Sequence, residues 1–304
     1  MTGFRMRLPA TSANLGSGFD AAAIALNFHL DIEAEAADEF TIHATGHDAQ
    51  LCSRLRGNLI VDCYRKILAD HGSSAPPLAI RMHNEIPLGM GCGSSAAGRL
   101  AAAAMAAHFG RLDWCGGRIL EAACALEGHP DNAAACWLGG FVAAANDEGG
   151  VSVARVEPPL EWRAIVVLPQ QSLATSKARA VLPESYAAVD AIANIQAVSM
   201  LGLAFAQGRG ELLQAAMRDR IHQPYRAEIC PFLPRLLPLA GKEGILGVAL
   251  SGAGPSVLAI VGEESQVEPA SKAILAALEG FPKPRLLVSC FERVGANRSL
   301  TGSR

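Results

Sequence analysis

Residues 87–97, PLGMGCGSSAA, limit what this chain can fold into more than any other segment of its sequence. Glycine takes every second position and a serine pair follows, at Gly89, Gly91, Gly93, Ser94 and Ser95. Alternating glycines allow positive φ angles, so that successive backbone N–H groups can point inward, and serines suit the start of a helix. A helix N-terminus adds partial positive charge at the same point. The segment therefore predicts a phosphate-binding loop followed by an alanine-rich helix that ends near Phe109.

Other glycine-rich structures account less well for the segment. A plain connection with serine N-caps would not need three regularly spaced glycines. Residues 91–96 fit the G-x-G-x-x-A dinucleotide pattern, which requires an acidic residue at the end of a strand about 20 residues later. Asp113 is at that distance but lies in a polar link between two predicted helices. A Walker A loop would place a lysine after the glycines, and here Ser94 stands in that position.

Composition and charge exclude some classes of partner. The chain has 304 residues with 26 basic and 29 acidic side chains, a net charge of −3, and no long run of either sign. A nucleic acid or an anionic membrane is therefore not expected as its main partner. Half of the residues are hydrophobic but only 5% are aromatic, so the core must be built largely from small side chains.

Targeting and membrane-spanning segments are not expected either. Residues 1–7 contain no apolar stretch of the kind that a secretory signal needs. Residues 244–262 carry no charge, but the glycines and Pro255 at their centre predict a strand, a turn and a second strand. The eight cysteines form no Cys-x-x-Cys pair, which indicates reduced thiols without a zinc site. We expect a cytoplasmic protein.

The hydrophobic pattern predicts an α+β fold in two domains. Alternating residues predict strands in the N-terminal half at 4–8, 29–37, 39–44 and 78–86, with 29–37 paired to 39–44. Polar stretches predict loops at 11–20 and 175–179, and residues 295–304 are expected to fray. A change in composition around residues 148–159 predicts a boundary between domains 1–155 and 156–304.

Three separated motifs resemble those of the galactokinase, homoserine kinase, mevalonate kinase and phosphomevalonate kinase (GHMP kinase) superfamily. They are 9–20 (PATSANLGSGFD), 87–97 and 250–256 (LSGAGPS), and their order and spacing agree as well. The resemblance implies that residues 1–155 form an ATP-binding domain similar to ribosomal protein S5 domain 2. It implies that residues 156–304 form a GHMP-kinase-type domain, a ferredoxin-like α/β sandwich, with the active site in the cleft between the two.

Within the superfamily, the first motif is similar to that of homoserine kinases, whereas sugar and mevalonate kinases usually carry a basic residue after Pro-Gly. Segments 127–140, 175–179 and 223–226 resemble further homoserine kinase motifs. The resemblance implies ATP-dependent phosphorylation of the side-chain hydroxyl of L-homoserine, in threonine biosynthesis, by a homodimer. A kinase for another small alcohol and a non-catalytic metabolite-binding relative are the alternatives.

Homoserine is a zwitterion with a hydroxyl, so its site needs an acid, arginines and a neutral polar group. The resemblance assigns Asp20 to the ammonium, Arg179 and Arg226 to the carboxylate, His129 and Asp131 to the amino-acid end, and Asn14 and Asn132 to the reacting oxygen. Asn132 and Asp131 are the catalytic candidates, and neither is assigned as a general base.

For ATP, the resemblance implies contacts from the whole glycine segment: Pro87, Leu88, Gly89, Met90, Gly91, Cys92, Gly93, Ser94, Ser95, Ala96 and Ala97. Asn58 matches a position near the adenine, although a helix N-cap explains it equally well. Mg²⁺ is implied, with Glu121 and the hydroxyl of Ser95, or else Ser94, as ligands, because Glu121 precedes His129 by eight residues. Cys92 stands where the family usually has leucine, and we expect a loop thiol open to oxidation or alkylation.

Overall fold

Two β-sheets organise the protein in the computed structural model, which describes residues 3–300. The first sheet contains β1 (Phe4–Asn14), β2 (Gly18–Ala36), β3 (Thr41–Gly46), β4 (Leu78–Asn84), β5 (Phe141–Asp147) and β6 (Gly150–Val156). The second contains β7 (Arg163–Leu168), β8 (Ile245–Leu250), β9 (Val257–Val261) and β10 (Arg285–Cys290). The strand orders are β3-β4-β2-β5-β6, with β1 paired to β2, and β10-β7-β9-β8. This mixture of sheets and helices confirms the α+β class.

Helices cover the sheets and connect them. They are α1 (Ala49–Cys52), α2 (Leu59–Asp70), α3 (Ser94–Phe109), α4 (Gly116–Glu127), α5 (Asp131–Leu138), α6 (Thr175–Ala180), α7 (Ala188–Gln207), α8 (Leu213–Ala216), α9 (Gln223–Arg226), α10 (Leu233–Leu236) and α11 (Val267–Ala277). Helices α2, α3 and α4 pack side by side, with α3 and α4 against the first sheet, and α11 packs against the second.

Helix α3 explains why the chain is rich in small apolar residues. Its residues from Ala96 to Ala106 are buried, except for Arg99. The helix contacts α2 on one side, α4 on the other and β1 beneath. A helix surrounded in this way can approach its neighbours closely only if its side chains are small. The alanine run therefore allows the glycine loop before it to sit deep between other elements.

The first motif is more regular than predicted. The loop expected at 11–20 is instead the end of a long antiparallel hairpin, in which β1 pairs with β2 as far as Asn14 and Gly18. Only a tight turn at 15–17 lies outside the two strands. Asn14, Leu15 and Gly16 all have positive φ, at 70°, 47° and 80°. The turn is thus held on a rigid hairpin, which fixes where its polar side chains point.

Three other local predictions are wrong. The strands predicted at 29–37 and 39–44 do not pair, because β4 lies between β2 and β3. The segment 175–179, predicted as a basic loop, is helix α6. Residues 295–300 are ordered, since Ser299 exchanges hydrogen bonds with the backbone of Arg7. The rest of the tail predicted to fray, 301–304, lies outside the described residues.

The chain passes from one sheet to the other between Val156, where β6 ends, and Arg163, where β7 begins. The predicted boundary after residue 155 lies one residue before the end of β6. The chain then returns: Phe291, directly after β10, forms an isolated bridge with Leu26 on β2. The residues after β10 therefore pack on the first sheet, although they lie in the C-terminal segment.

Helix α7 is the only helix in residues 3–300 that is long and apolar enough to cross a membrane, by length and composition alone. Helices in the cores of soluble proteins pass the same test. One face of α7 packs inward through Asn194, Leu201 and Phe205, and Phe205 stacks on Phe141 of β5 with ring centroids 4.3 Å apart.

Candidate active site

The glycine loop presents free backbone donors to a cleft. Its carbonyl groups are held from outside: Gly89 accepts from Leu173 N at 3.1 Å, Gly91 from Ser251 Oγ at 2.7 Å, and Cys92 from Thr11 N at 3.1 Å. Over the described residues, the N–H groups of Gly89, Gly91 and Gly93 donate to no protein acceptor. These donors and the N-terminus of α3 together form an anion site.

Two of the glycines are required by close packing as well as by conformation. Gly91 and Gly93 have φ angles of 74° and 73°. A Cβ atom on Gly91 would overlap the carbonyl of Ser251, and one on Gly93 would overlap the side chain of Thr11. The loop is therefore clamped between the first and third motifs, and a side chain at either position would push them apart.

A separate apolar pocket of about 870 Å³ opens beside the loop. Ser94 and Ser95 line this pocket and the cleft alike. Asn58 also lines it, but its side chain is fully used: Oδ1 accepts from Ile60 N and Val61 N, and Nδ2 donates to two carbonyls of the preceding turn. Asn58 is thus the N-cap of α2, and it shapes the pocket by holding that helix in place.

The cleft itself gathers all of the predicted substrate residues in about 720 Å³. Those lining it are Asn14, Asp20, His129, Asp131, Asn132, Arg179 and Arg226, together with Gly89, Gly91, Cys92, Gly93, Ser94 and Ser95 of the loop. Thr175, Leu173 and the third-motif turn at 252–254 complete the wall. The cleft therefore joins an anion site to a group of acidic and basic side chains.

Asp20 and Arg179 face each other across this cleft. Arg179 donates from Nη2 to Asp20 Oδ1 at 2.8 Å and from Nη1 to Asp20 Oδ2 at 3.0 Å. The hydrogen bonds to Asp20 raise the pKa of Arg179, against the opposing effect of its partial burial. The two groups assigned to opposite ends of a zwitterion thus pair with each other in this structure.

Arg226 is as deeply buried as Asp131, with 1% exposure. It donates from Nη1 to His222 Nδ1 at 3.1 Å and from Nε to Ala178 O at 3.1 Å. Because arginine only donates, His222 Nδ1 must accept, and its Nε2 then donates to Gly16 O at 2.9 Å. Burial lowers the pKa of His222, so the ring stays neutral in this tautomer. Sequence analysis did not single out His222, which directly precedes the segment 223–226.

Asp131, His129 and Asn132 form one hydrogen-bonded group at the start of α5. His129 Nδ1 donates to Asp131 Oδ1 at 2.5 Å, and that oxygen also accepts from Asn132 N at 2.6 Å. Burial alone would lower the pKa of His129, but its bond to Asp131 and the neighbouring carboxylates raise it. Asp131 Oδ2 is buried and has no hydrogen-bond partner among residues 3–300. A ligand donor at that oxygen would remove the cost of leaving it unpaired.

Asn132 has an amide donor to offer a ligand. Its Oδ1 accepts from Thr11 Oγ1 at 2.6 Å, which fixes the orientation of the amide, and its Nδ2 donates to Asp131 Oδ1 at 3.4 Å with a second N–H left over. Thr11, which orients the amide, belongs to the first motif but was not singled out in the sequence. Its position next to the glycine loop could not be inferred before the hairpin of β1 and β2 was known.

The predicted metal carboxylate, Glu121, does not lie at the site. It pairs with Arg118 at 2.9 Å and approaches Gly150 on β6, on another face of α4. Glu127, at the end of the same helix, lines the cleft instead and accepts from Ser95 Oγ at 2.6 Å. Six residues turn a helix by about 240° beyond a full turn, so the two acids cannot share a face. The sequence feature that could have identified Glu127 is its position directly before the Gly-His-Pro-Asp-Asn segment.

Two groups of side chains in the cleft could bind a cation. The hydroxyl of Ser95 and the carboxylate of Glu127 are oxygen donors beside the anion loop, which suits Mg²⁺. Arg99 also pairs with Glu127, whose side chain is mostly buried. Asp20, His129 and Asp131 bring ligand atoms within 4.8 Å of one another. Mg²⁺ prefers oxygen ligands, and this group includes a histidine nitrogen, so it is a poorer magnesium site. Its two carboxylates are better suited to accept hydrogen bonds from an ammonium.

Some predicted ATP residues do not line the cleft or the apolar pocket. Ala96 and Ala97 are fully buried in α3, and Pro87 and Met90 lie on a neighbouring surface groove, whereas Leu88 lines the apolar pocket. The thiol of Cys92 has 1% exposure, and burial raises its pKa to about 12. The expectation of a reactive thiol is therefore wrong, since the thiolate hardly forms at neutral pH.

Two family models match the chain: the GHMP kinases N terminal domain at residues 58–140 and the GHMP kinases C terminal at residues 203–280. The chain is 44% identical to a homoserine kinase of Solibacter usitatus over 256 residues, 84% of either protein. It is 38% identical to a homoserine kinase of Moorella thermoacetica over 277 residues, 89% of this chain and 92% of the relative.

The fold agrees with these matches. The structure of a homoserine kinase from Cytophaga hutchinsonii superposes with a TM-score of 0.82 at 24% identity, covering 97% of this chain and 96% of that one. At this identity the superposition supports the fold alone, and the sequence matches establish the family. The chain therefore belongs to the homoserine kinase family within the GHMP kinases.

Proposed function

We propose that this protein is a homoserine kinase, which transfers the γ-phosphoryl group of ATP to the side-chain hydroxyl of L-homoserine and forms O-phospho-L-homoserine. One observation carries the proposal: a single cleft joins an anion-binding loop to a set of paired acidic and basic side chains that fits a zwitterion. The curated relatives at 44% and 38% identity support the same activity and its place in threonine biosynthesis.

ATP binds along the glycine loop in this proposal. The apolar pocket shaped by α2 takes the adenine, and the free N–H groups of Gly89, Gly91 and Gly93 bind phosphate oxygens. Ser94 and Ser95 line both spaces, so the phosphates pass from one to the other at the N-terminus of α3. Phosphoryl transfer needs positioning and charge neutralisation more than covalent help, and the loop supplies both.

L-Homoserine binds at the other end of the cleft. Its carboxylate pairs with the guanidinium groups of Arg226 and Arg179. Its ammonium donates to Asp20 and to the buried Oδ2 of Asp131. His129 holds Asp131 in place through its 2.5 Å hydrogen bond. These contacts direct the side-chain hydroxyl of the substrate toward the glycine loop.

Asn132 orients the hydroxyl in this mechanism and does not take its proton. Its Oδ1 is used by Thr11, so Nδ2 is left to donate to the hydroxyl oxygen. Asn14 cannot accept the proton either, because a carboxamide is not a base at neutral pH; its Nδ2 donates to Gly252 O and its Oδ1 accepts from Asp20 N. We therefore propose that the proton leaves to an oxygen of the transferred phosphoryl group.

Ser95 and Glu127 are the residues that would hold Mg²⁺. When bound, the ion neutralises charge on the β- and γ-phosphates. Arg99 stays beside Glu127 and offsets its charge when the ion is away. Glu121, the earlier candidate, takes no part in this proposal because it faces β6.

The test is direct. Purified protein with Mg-ATP and L-homoserine is expected to release ADP and form O-phosphohomoserine, measured by a coupled assay and by ³¹P NMR. L-Threonine, L-serine, mevalonate and galactose form the comparison panel. Turnover of another alcohol in place of homoserine, or binding of homoserine without any turnover of ATP, would contradict the proposal.

We also propose a cytoplasmic homodimer. Helix α7 supports self-association, because Val189, Ile192, Ile195 and Leu203 expose between 54% and 64% of their surface along it. Such a row of apolar side chains is typical of a buried contact between protein chains. Light scattering on a gel-filtration column is expected to give twice the mass of one chain. The Ile195→Glu variant is expected to shift the measured mass toward that of a single chain.

A further inference from the structure

The ion pair of Asp20 and Arg179 occupies the space in which the substrate's two charges must bind. Asp20 stands near the start of β2 and Arg179 near the end of α6, so the pair joins two distant parts of the chain. Both carboxylate oxygens of Asp20 are used, at 2.8 and 3.0 Å. The side chains are 32% and 40% exposed, so the pair can separate at moderate cost.

The other charges of the cleft do not share this freedom. Arg226 is 1% exposed and held by His222 and by the carbonyl of Ala178. Asp131 is equally buried, and its Oδ1 is held by His129. The cleft therefore combines a fixed cation and a fixed anion with a movable pair of opposite charges.

We propose that the Asp20–Arg179 pair is a charge-matching gate that makes the kinase specific for alcohols that carry both an ammonium and a carboxylate. This inference rests on the proposed function. When a zwitterion binds and the pair opens, Asp20 gains the substrate ammonium as its new partner and Arg179 gains the substrate carboxylate. An alcohol with a single charge must also break the pair, but it leaves one of the two without a partner, which costs binding free energy.

Removing one half of the gate tests this directly. In Asp20→Asn, Arg179 is free before substrate binds. We expect kcat/KM for L-homoserine to fall at least 30-fold, because the ammonium loses its partner. For 4-hydroxybutanoate, which is homoserine without the ammonium, we expect kcat/KM to rise about fivefold over wild type, the gain from no longer breaking a half-exposed pair.

A double-mutant cycle with Arg179→Gln and Asp20→Asn/Arg179→Gln separates the gate from simple charge repulsion, because these two variants lack the same carboxylate partner. If Asp20 only repels anions, Asp20→Asn raises kcat/KM for 4-hydroxybutanoate in the Arg179→Gln background as it does in wild type, and the gate is wrong. If the gate is right, Asp20→Asn gives no gain over Arg179→Gln, because no ion pair is left to break. Asp190→Asn is the matched control: it breaks the 3.0 Å pair with Arg220 outside the cleft and should leave both substrates unchanged.

Wild-type turnover of L-homoserine in the same assay tests the proposed function separately. Should it be absent, the proposed function falls, and the gate is judged by calorimetric binding of 4-hydroxybutanoate to the same variants. Tighter binding in Asp20→Asn than in wild type, with no such gain in the double variant over Arg179→Gln, supports the gate. Equal or weaker binding in Asp20→Asn overturns it, whichever substrate the enzyme uses.

Discussion

Ser95 Oγ donates a 2.6 Å hydrogen bond to Glu127 Oε1, and this links the first turn of α3 to the last turn of α4. The contact brings together a hydroxyl and a carboxylate that the sequence separates by more than thirty residues. Glu127, and not Glu121, is thus the carboxylate beside the glycine loop, and it is the one that we propose for Mg-ATP.

Glu127→Gln is expected to reduce kcat about 100-fold and to raise the Mg²⁺ concentration needed for half-maximal rate, because a neutral amide binds the ion weakly. The measurement is a Mg²⁺ titration of the steady-state rate at fixed ATP. Glu121→Gln, on the same helix, is the matched control and should stay within about twofold of wild type. If Glu121→Gln lost more activity and needed more Mg²⁺ than Glu127→Gln, Glu121 would be the metal ligand instead.

Arg179→Ala is expected to raise KM for homoserine about 30-fold or more, with KM for ATP within about twofold of wild type. The variant removes a carboxylate partner at the substrate end of the cleft, away from the nucleotide. Steady-state kinetics with each substrate varied in turn measures both constants. An equal rise in the two KM values would show that Arg179 acts on the nucleotide instead.

His222 should be replaceable by glutamine but not by leucine. Glutamine can accept from Arg226 and donate to Gly16 O, as the neutral ring does, whereas leucine leaves a buried arginine without that partner. We expect His222→Gln to keep KM for homoserine near wild type and His222→Leu to raise it about tenfold or more. Similar losses in both variants would mean that the ring matters for its shape alone.

The same histidine makes a testable contribution to acid stability. Its pKa is lowered in the folded protein, so below about pH 6.5 the unfolded chain takes up a proton that the native ring refuses. The free energy of unfolding therefore decreases as the pH falls through this range. Urea unfolding between pH 5 and 8 should show a shallower decrease for His222→Gln than for wild type. Parallel curves would exclude the ring as the source.

Gly91→Ala is expected to abolish measurable ATP binding or to destabilise the protein by several kcal/mol, since its Cβ would overlap the backbone of Ser251. Gly72→Ala is the control: it also has a positive φ, at 58°, but no atom lies within 4 Å of the added carbon. It should cost only about 1 kcal/mol of conformational strain. Calorimetry with ATP and thermal unfolding measure the two effects.

Alkylation should distinguish the cysteines by burial. Iodoacetamide at neutral pH is expected to label Cys115 and Cys290, which are exposed, and to leave Cys92 unmodified in the native protein. The raised pKa of Cys92 and its burial both act in this direction. Mass spectrometry of the digest measures each site, and ATP should make no difference to labelling. Rapid labelling of Cys92 would show that the loop opens in solution.

Local sequence was sufficient where the chemistry lies within one segment. The glycine spacing predicted the anion loop and the helix after it, because positive φ angles and a helix start are properties of consecutive residues. The motif pattern likewise predicted the α+β fold and the family. The hairpin at 11–20 was missed, since the β-pairing that makes it regular comes from residues as distant as β2.

What depended on the tertiary structure is the choice among residues of the same type. Glu121 and Glu127 lie on one helix with similar surroundings in sequence, and only the packing of α4 against α3 decides which faces the loop. Arg226 was predicted from its motif, but its partner His222, whose tautomer it fixes, and the ion pair of Asp20 and Arg179 arise from contacts across the fold. The sequence by itself thus determined which chemical groups are present and the conformation of the glycine loop. The tertiary structure decided which groups meet, because hydrogen bonds and ion pairs depend on distances that only folding sets.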